Sequence, residues 1–261
     1  MLYTQIRYAD EVRTLYRLRH MLASRGRPEI HSRLGYAKYS EQLRRIKNIL
    51  KMEHVLDRAG RFVESEPNIW LARLTLVADR RKTKVLGHKI PYGVFLTLTV
   101  DPRAILKDLP RRLKNDAHST SLALKRMSKA GIITKDGDSA KVDGKLSEWL
   151  LRYIGLAKSQ AMATGDISYL FRTIPSYITG PRAFYDLHYE PGRPMAPADM
   201  VVATYEPFRG LWEGFVRDVF YFQEYPHKVT ITISPVEVSD VIWVNGLPYE
   251  RRAKLQKRPA E

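Results

Sequence analysis

Ser119-Thr120-Ser121-Leu122-Ala123-Leu124-Lys125-Arg126-Met127-Ser128-Lys129-Ala130-Gly131, followed by Ile132-Ile133-Thr134-Lys135-Asp136-Gly137-Asp138-Ser139-Ala140-Lys141-Val142, changes its period at Gly131. Before the glycine, projection at 100° per residue puts Ala123, Leu124, Met127 and Ala130 on one face. Ser121, Lys125, Ser128 and Lys129 share the other, with Arg126 beside them. Ser119 is the expected N-cap of a helix over Thr120–Ala130, and Gly131 stands where a left-handed residue closes one. Beyond it, two short β-prone runs surround Asp136-Gly137, a preferred tight hairpin turn.

Working upstream, Asp101-Pro102 reads as an N-cap with proline at the first helical position. Asp108 offers a second cap before Pro110-Arg111-Arg112-Leu113-Lys114. Two short helices and a turn over Asn115–His118 therefore precede the basic helix, and a further helix from Lys145 to about Ala163 follows the hairpin. Helix, turn, helix and hairpin in this order predict a winged helix-turn-helix, with its connecting helix, over residues 101–164. In such a unit the second helix of the pair presents side chains to base edges, while the wing and neighbouring helices touch phosphates. The outward face thus nominates Lys125, Arg126 and Lys129, with Ser121, for the groove. Arg111, Arg112, Lys114, Lys135 and Lys141 are nominated for the backbone.

Residues 1–100 read as a basic helical region that ends in a strand. Helices are predicted over 9–24 and 41–56, the second with Arg44 and Arg45 on its basic side, and a turn with a short strand over 57–64. Between those helices, Arg25-Gly26-Arg27-Pro28 is similar to the core of an AT-hook, in which Arg25 and Arg27 would lie in a narrow minor groove. Residues 69–77 fit a helix or a strand equally well. Arg80, Arg81 and Lys82 add a basic run, and Gly93–Val100, alternating in Leu and Thr, is expected to be a strand.

Charge divides the chain. Residues 1–160 carry 33 Lys and Arg against 16 Asp and Glu, and residues 161–261 carry 11 against 12. A cationic excess of that size suits a polyanion, because each neutralised phosphate releases condensed counterions. Residues 165–250 read as a mixed α/β domain with β-like runs at 200–205, 216–222, 229–233 and 241–244, and 251–261 as a basic tail. The expected class is α+β. Tyr177, Tyr185, Tyr189, Tyr205, Tyr221, Tyr225, Trp212 and Trp243 make the second domain aromatic, which suits core packing or a contact with a second copy or a protein partner.

Over about 105–225 the chain resembles the antitoxin and transcriptional-regulator proteins of AbiE-type abortive-infection systems. The resemblance lies in the order of winged helix, then the segment Ile174-Pro175-Ser176-Tyr177-Ile178-Thr179, then helix, then the strand ending in Ala203-Thr204. It implies DNA binding through the winged helix, repression of the protein's own operon, and a second domain that assists repression or neutralises a toxin. Two features depart from the pattern. About 100 residues precede the winged helix, and Asp186-Leu187-His188-Tyr189 stands where the family has His-Gly-Leu.

Other chemistry is poorly provided for. With no cysteine, thiolate nucleophiles, disulfides and Cys-type zinc sites are excluded. The seven histidines never fall at the spacing of helical metal ligands, phosphate-cradling Gly loops are missing, and Asp186 with His188 is the one acid/base pair worth testing. No cofactor, metal or enzymatic activity is expected. Scarce Asn and Gln point to a thermophilic source. The longest stretch free of charge and His, Ile90–Val100, is too short to span a bilayer, and a cytoplasmic protein is expected. The reading is a DNA-binding transcriptional regulator; an RNA- or ribosome-associated factor and a non-specific DNA-coating protein are the alternatives.

Overall fold

The computed structural model describes residues 6, 48, 51, 56–59, 63, 65–72, 80–188, 199–220, 228–234 and 241–251. The predicted helix over 9–24, most of that over 41–56, the Arg25 and Arg27 hook, Arg44, Arg45 and the tail beyond Arg251 lie outside the described residues. Asn48 and Lys51 are helical.

Helix α1 (Glu66–Ala72) settles the first part of the ambiguous stretch as helix. It is followed by α2 (Arg80–Leu86) and α3 (Lys89–Val100). The strand expected over Gly93–Val100 is therefore a helix. Its residues Pro91–Thr99 are all buried, because α2 and the segments Ala117–Lys129, Ser139–Val142 and Gly144–Thr164 pack around it together with the turn at Glu206–Phe208. A helix covered on every side needs no polar face, so it loses the 3.6-residue signature, and alternating Leu and Thr then imitate a strand. The Thr97 hydroxyl donates to the Gly93 carbonyl at 2.8 Å, which satisfies a buried polar group inside the helix itself.

No helix starts at Asp101-Pro102. Asp101 instead closes α3, its N–H donating to the Thr97 carbonyl at 2.8 Å. A 3-10 turn (Leu106–Asp108) leads into the short α4 (Leu109–Arg112) and then α5 (Ala117–Lys129). Strands β1 (Ile133–Asp136) and β2 (Ser139–Val142) pair antiparallel, and the Leu106 N–H donates to the Asp138 carbonyl at 2.8 Å, tying the hairpin tip to the segment after α3. Helix α6 (Gly144–Thr164) matches its predicted span. Asp143 accepts from the Leu146 N–H at its start, and Gly165 at φ 72° ends it.

The remaining elements are α7 (Ser168–Thr173), β3 (Ser176–Thr179), α8 (Gly180–Leu187), β4 (Met200–Thr204), α9 (Arg209–Phe215), β5 (Val229–Ile233), β6 (Val241–Val244) and β7 (Leu247–Glu250). The expected β run at 216–222 is instead, over Val216–Phe220, a π-type turn that prolongs α9. The five strands are ordered β5-β4-β3-β7-β6. β3 runs antiparallel to β4 and parallel to β7, and β4 runs parallel to β5 across α9. The β6–β7 hairpin turns on Asn245 and Gly246, both at positive φ (49° and 81°), the geometry that makes Asn-Gly a favoured two-residue turn.

The class is α+β. One buried cluster runs from Phe95 in α3 through Trp149 in α6 to Tyr177 and Trp212 beside the sheet, so both halves share a core. Tyr92 reinforces that junction by donating to the Thr173 carbonyl at 2.7 Å. Among the described residues no helix is long and apolar enough to cross a membrane.

Candidate nucleic-acid interface

Helix α5 begins three residues earlier than its sequence predicts, at Asp116, whose carboxylate accepts from the Ser119 N–H at 2.7 Å. Hydrogen bonds from the Ser119 side chain and amide hold that carboxyl below the usual carboxylate range. At the other end the Gly131 N–H donates to Ser128 and the Ile132 N–H to Met127, with Gly131 at φ 70°. Met127 and Ile132 are both fully buried, which supplies the apolar contact this kind of helix stop calls for. Both ends being fixed, the rotation of the helix about its axis is fixed as well.

That rotation buries Thr120, Ala123, Leu124 and Met127 and exposes Ser121, Lys125, Arg126, Ser128 and Lys129. Among the described residues none of the three cations has an ion pair or hydrogen-bond partner, which leaves their charge available to an incoming anion. The segment just before α5 brings more positive charge. Arg111, in the last turn of α4, and Lys114, at φ 50° in the turn before α5, are exposed and unpaired. From 101 to 142 the chain carries ten Lys and Arg against five Asp and Glu.

In the hairpin, Lys141 lies opposite Thr134 and Lys135 opposite Ala140. Cross-strand pairs share a face and neighbouring pairs alternate, so the two exposed lysines emerge on opposite faces of the ribbon. A flat partner on one face meets only one of them.

Two nominated cations are already engaged. The Arg112 Nε donates to Glu206 at 2.6 Å and its Nη1 to Asp101 at 2.8 Å, joining α4 to the turn after β4. Burial works against the Arg112 charge, but the bonds to Glu206 and Asp101 outweigh it and raise the pKa above the ordinary arginine value. Lys82 donates to Asp143 at 3.2 Å and so braces the cap of α6. Arg81 is exposed, and Arg80 lies at the first position of α2. Sequence reasoning passed over Arg103 and Lys107, which are exposed and unpaired in the segment between α3 and α4. They were hidden by reading that segment for helix signals alone.

The acid/base pair does structural work. Asp186 accepts from Arg182 Nε at 2.9 Å and from the Tyr249 hydroxyl at 3.0 Å, while His188 Nδ1 lies 2.9 Å from the Phe184 carbonyl and its ring stacks on Phe184 at 4.4 Å. Tyr177, Tyr205 and Trp212 are buried in the core, which removes them from any contact surface. Among the described residues no group of three His, Asp or Glu could hold a metal. No protein-family model matches the chain, and no curated protein and no solved structure is significantly similar to it.

Proposed function

We propose that the protein binds double-stranded DNA through a winged helix-turn-helix built from α4, α5 and the β1–β2 hairpin, and that it acts as a transcriptional regulator. The observation that carries this reading is the face of α5. Three unpaired cations and two serines stand on a helix whose rotation is locked by caps at both ends and by a buried opposite face. A helix presented in this way suits a major groove, where Lys and Arg recognise guanine edges and Ser accommodates either base type. Arg111, Lys114 and one hairpin lysine flank it, where phosphates would pass. The order of elements agrees with the AbiE-like resemblance of the sequence, which adds repression of the protein's own operon to the proposal.

The experiment is a titration of the purified protein against a random duplex, the duplex upstream of its own gene and a structured RNA, each at two salt concentrations. Preference for the upstream duplex, lost in Lys125→Ala/Arg126→Ala/Lys129→Ala, is the expected result. Each lost base-reading contact should cost about 1–3 kcal/mol of discrimination. Equal binding of all duplexes would make the protein a coating protein, and stronger RNA binding would overturn the DNA reading.

A further inference from the structure

A cleft of about 600 Å³ lies between the segment from Asp101 to Lys114 and the turn after β4. Its volume falls within the range of small-molecule sites, about 300–1,000 Å³. Its lining is divided by chemistry. Arg103, Arg111 and Lys114 line it, all exposed and, among the described residues, none with an ion pair or hydrogen-bond partner. Asp108 is the one unpaired carboxylate beside them, since Asp101 and Glu206 are both bonded to Arg112. Arg112 with its two carboxylates is itself one negative charge in excess, so the lining as a whole, four cations against three carboxylates, leaves an excess of one positive charge for a ligand to meet. The rest of the wall is apolar: Ala104, Ile233 and Ile105, the last 42% exposed, among the most open large apolar side chains described.

We propose that this cleft binds a small organic anion with a carboxylate or phosphate head and an apolar body. The head lies among Arg103, Arg111 and Lys114, where charge-assisted hydrogen bonds are available without breaking an existing pair. The body covers Ile105, removing from water apolar surface that the fold leaves open. The modest cationic excess selects a head of one or two negative charges over a polyphosphate. Arg112 forms a fixed floor, its guanidinium being held on both sides by Asp101 and Glu206, so the site is preorganised and needs no rearrangement of the core. The inference needs only the cleft, but it shares Arg111 and Lys114 with the proposed phosphate contacts, so a bound duplex and the small anion would compete.

Isothermal titration of the full chain with phenyl phosphate, inorganic phosphate and benzyl alcohol tests it. Phenyl phosphate is expected to bind with a Kd on the order of 1 mM or tighter, and benzyl alcohol not to bind. Arg103→Ala, and separately Arg111→Ala, should each weaken phenyl phosphate about fivefold with an unchanged circular dichroism spectrum. Ile105→Ser should remove the preference for phenyl phosphate over inorganic phosphate. Equal affinity for the two phosphates, or folded arginine variants that bind as the unaltered protein does, would overturn the proposal. The direct readout contains no nucleic acid, so its failure leaves the DNA reading standing, and failure of the DNA titration leaves this one standing.

Discussion

The Asp143 carboxylate both caps α6, accepting from the Leu146 N–H at 3.1 Å, and receives the Lys82 ammonium at 3.2 Å. Its removal leaves a helix N–H group and an ammonium without their acceptor. Asp143→Ala is expected to destabilise the protein by about 1–2 kcal/mol in urea titration, whereas Lys82→Ala, which breaks the partly exposed pair but leaves the helix cap intact, should cost under about 1 kcal/mol. Asp143→Asn keeps the cap and should resemble the lysine variant. A second carboxylate sets an acid response. Hydrogen bonds from Arg217 and Lys158 pull Asp218 down to a pKa of about 2. Its folded value is below the roughly 3.9 of an unfolded chain, so its stabilisation is complete above that pH and is lost as pH falls toward 2. Asp218→Asn should flatten this part of the acid unfolding curve and leave the slope near neutral pH unchanged. Arg172 behaves differently. It is 2% exposed, donates to the Ser168 hydroxyl at 2.7 Å, lies 3.8 Å from the half-exposed Asp166 carboxylate and sits 4.1 Å over the Tyr169 ring, yet among the described residues its Nε and Nη1 have no hydrogen-bond partner. A buried charge so incompletely satisfied adds little net stability, and Arg172→Met should unfold at an equal or higher denaturant concentration.

Among the elements, α5 and α3 show what makes a segment readable. Helix α5 is half exposed, so its residues had to divide by polarity, and the division of Ala123, Leu124 and Met127 from Lys125, Arg126 and Lys129 was legible before any coordinates. Its stop was legible too, since Gly131 occupies a positive-φ position (70°), as Gly137 (55°) does in the hairpin turn that follows. Its start was not. Asp116 and Ser119 are both good caps three residues apart, and only the hydrogen bond between them shows which one sits outside the helix. Helix α3 carries no such division because its neighbours cover every face. Strands β3 and β7 escaped notice for a related reason. They are four residues long and lie inside the sheet, so Ser176–Ile178 are buried on both faces and show no alternation. The helical state of α3 gives a substitution a definite sign. A Cβ on Gly93 would meet only the Leu113 methyls, at 3.8 Å, an ordinary contact. Gly93→Ala should therefore raise stability by about 0.5–1 kcal/mol through helix propensity, measured as a shift in the urea midpoint without a change in m-value.

At the scale of the molecule, the charge division of the sequence carried over into the described structure in a narrower form. Composition shows how many cations there are but not which are paired. Lys82 and Arg112, indistinguishable from their neighbours in the sequence, close contacts that hold α2 to α6 and α4 to the turn after β4. Among the described residues, the unpaired side chains that remain include those on α4 and α5, in the α4–α5 turn and the hairpin, and, with Arg103 and Lys107, in the segment before α4. If the protein binds DNA as proposed, the members of that set that meet phosphates would fix its salt response. Affinity for a duplex falls with salt with a slope of about 0.9 per phosphate neutralised, so only cations that meet phosphates contribute to it. Arg111→Ala and Lys114→Ala should each reduce the slope by about one, uniformly over DNA sequences. Lys82→Ala, whose ammonium already has its carboxylate, should leave the slope unchanged. The hairpin supplies the sharper test, because Lys135 and Lys141 project from opposite faces of one ribbon. A duplex lying against a single face engages one lysine, so one of Lys135→Ala and Lys141→Ala should lower the slope by about one and the other should not. Equal reductions from both would mean that the ribbon inserts between two phosphate rows, and no reduction from either would remove the hairpin from the interface.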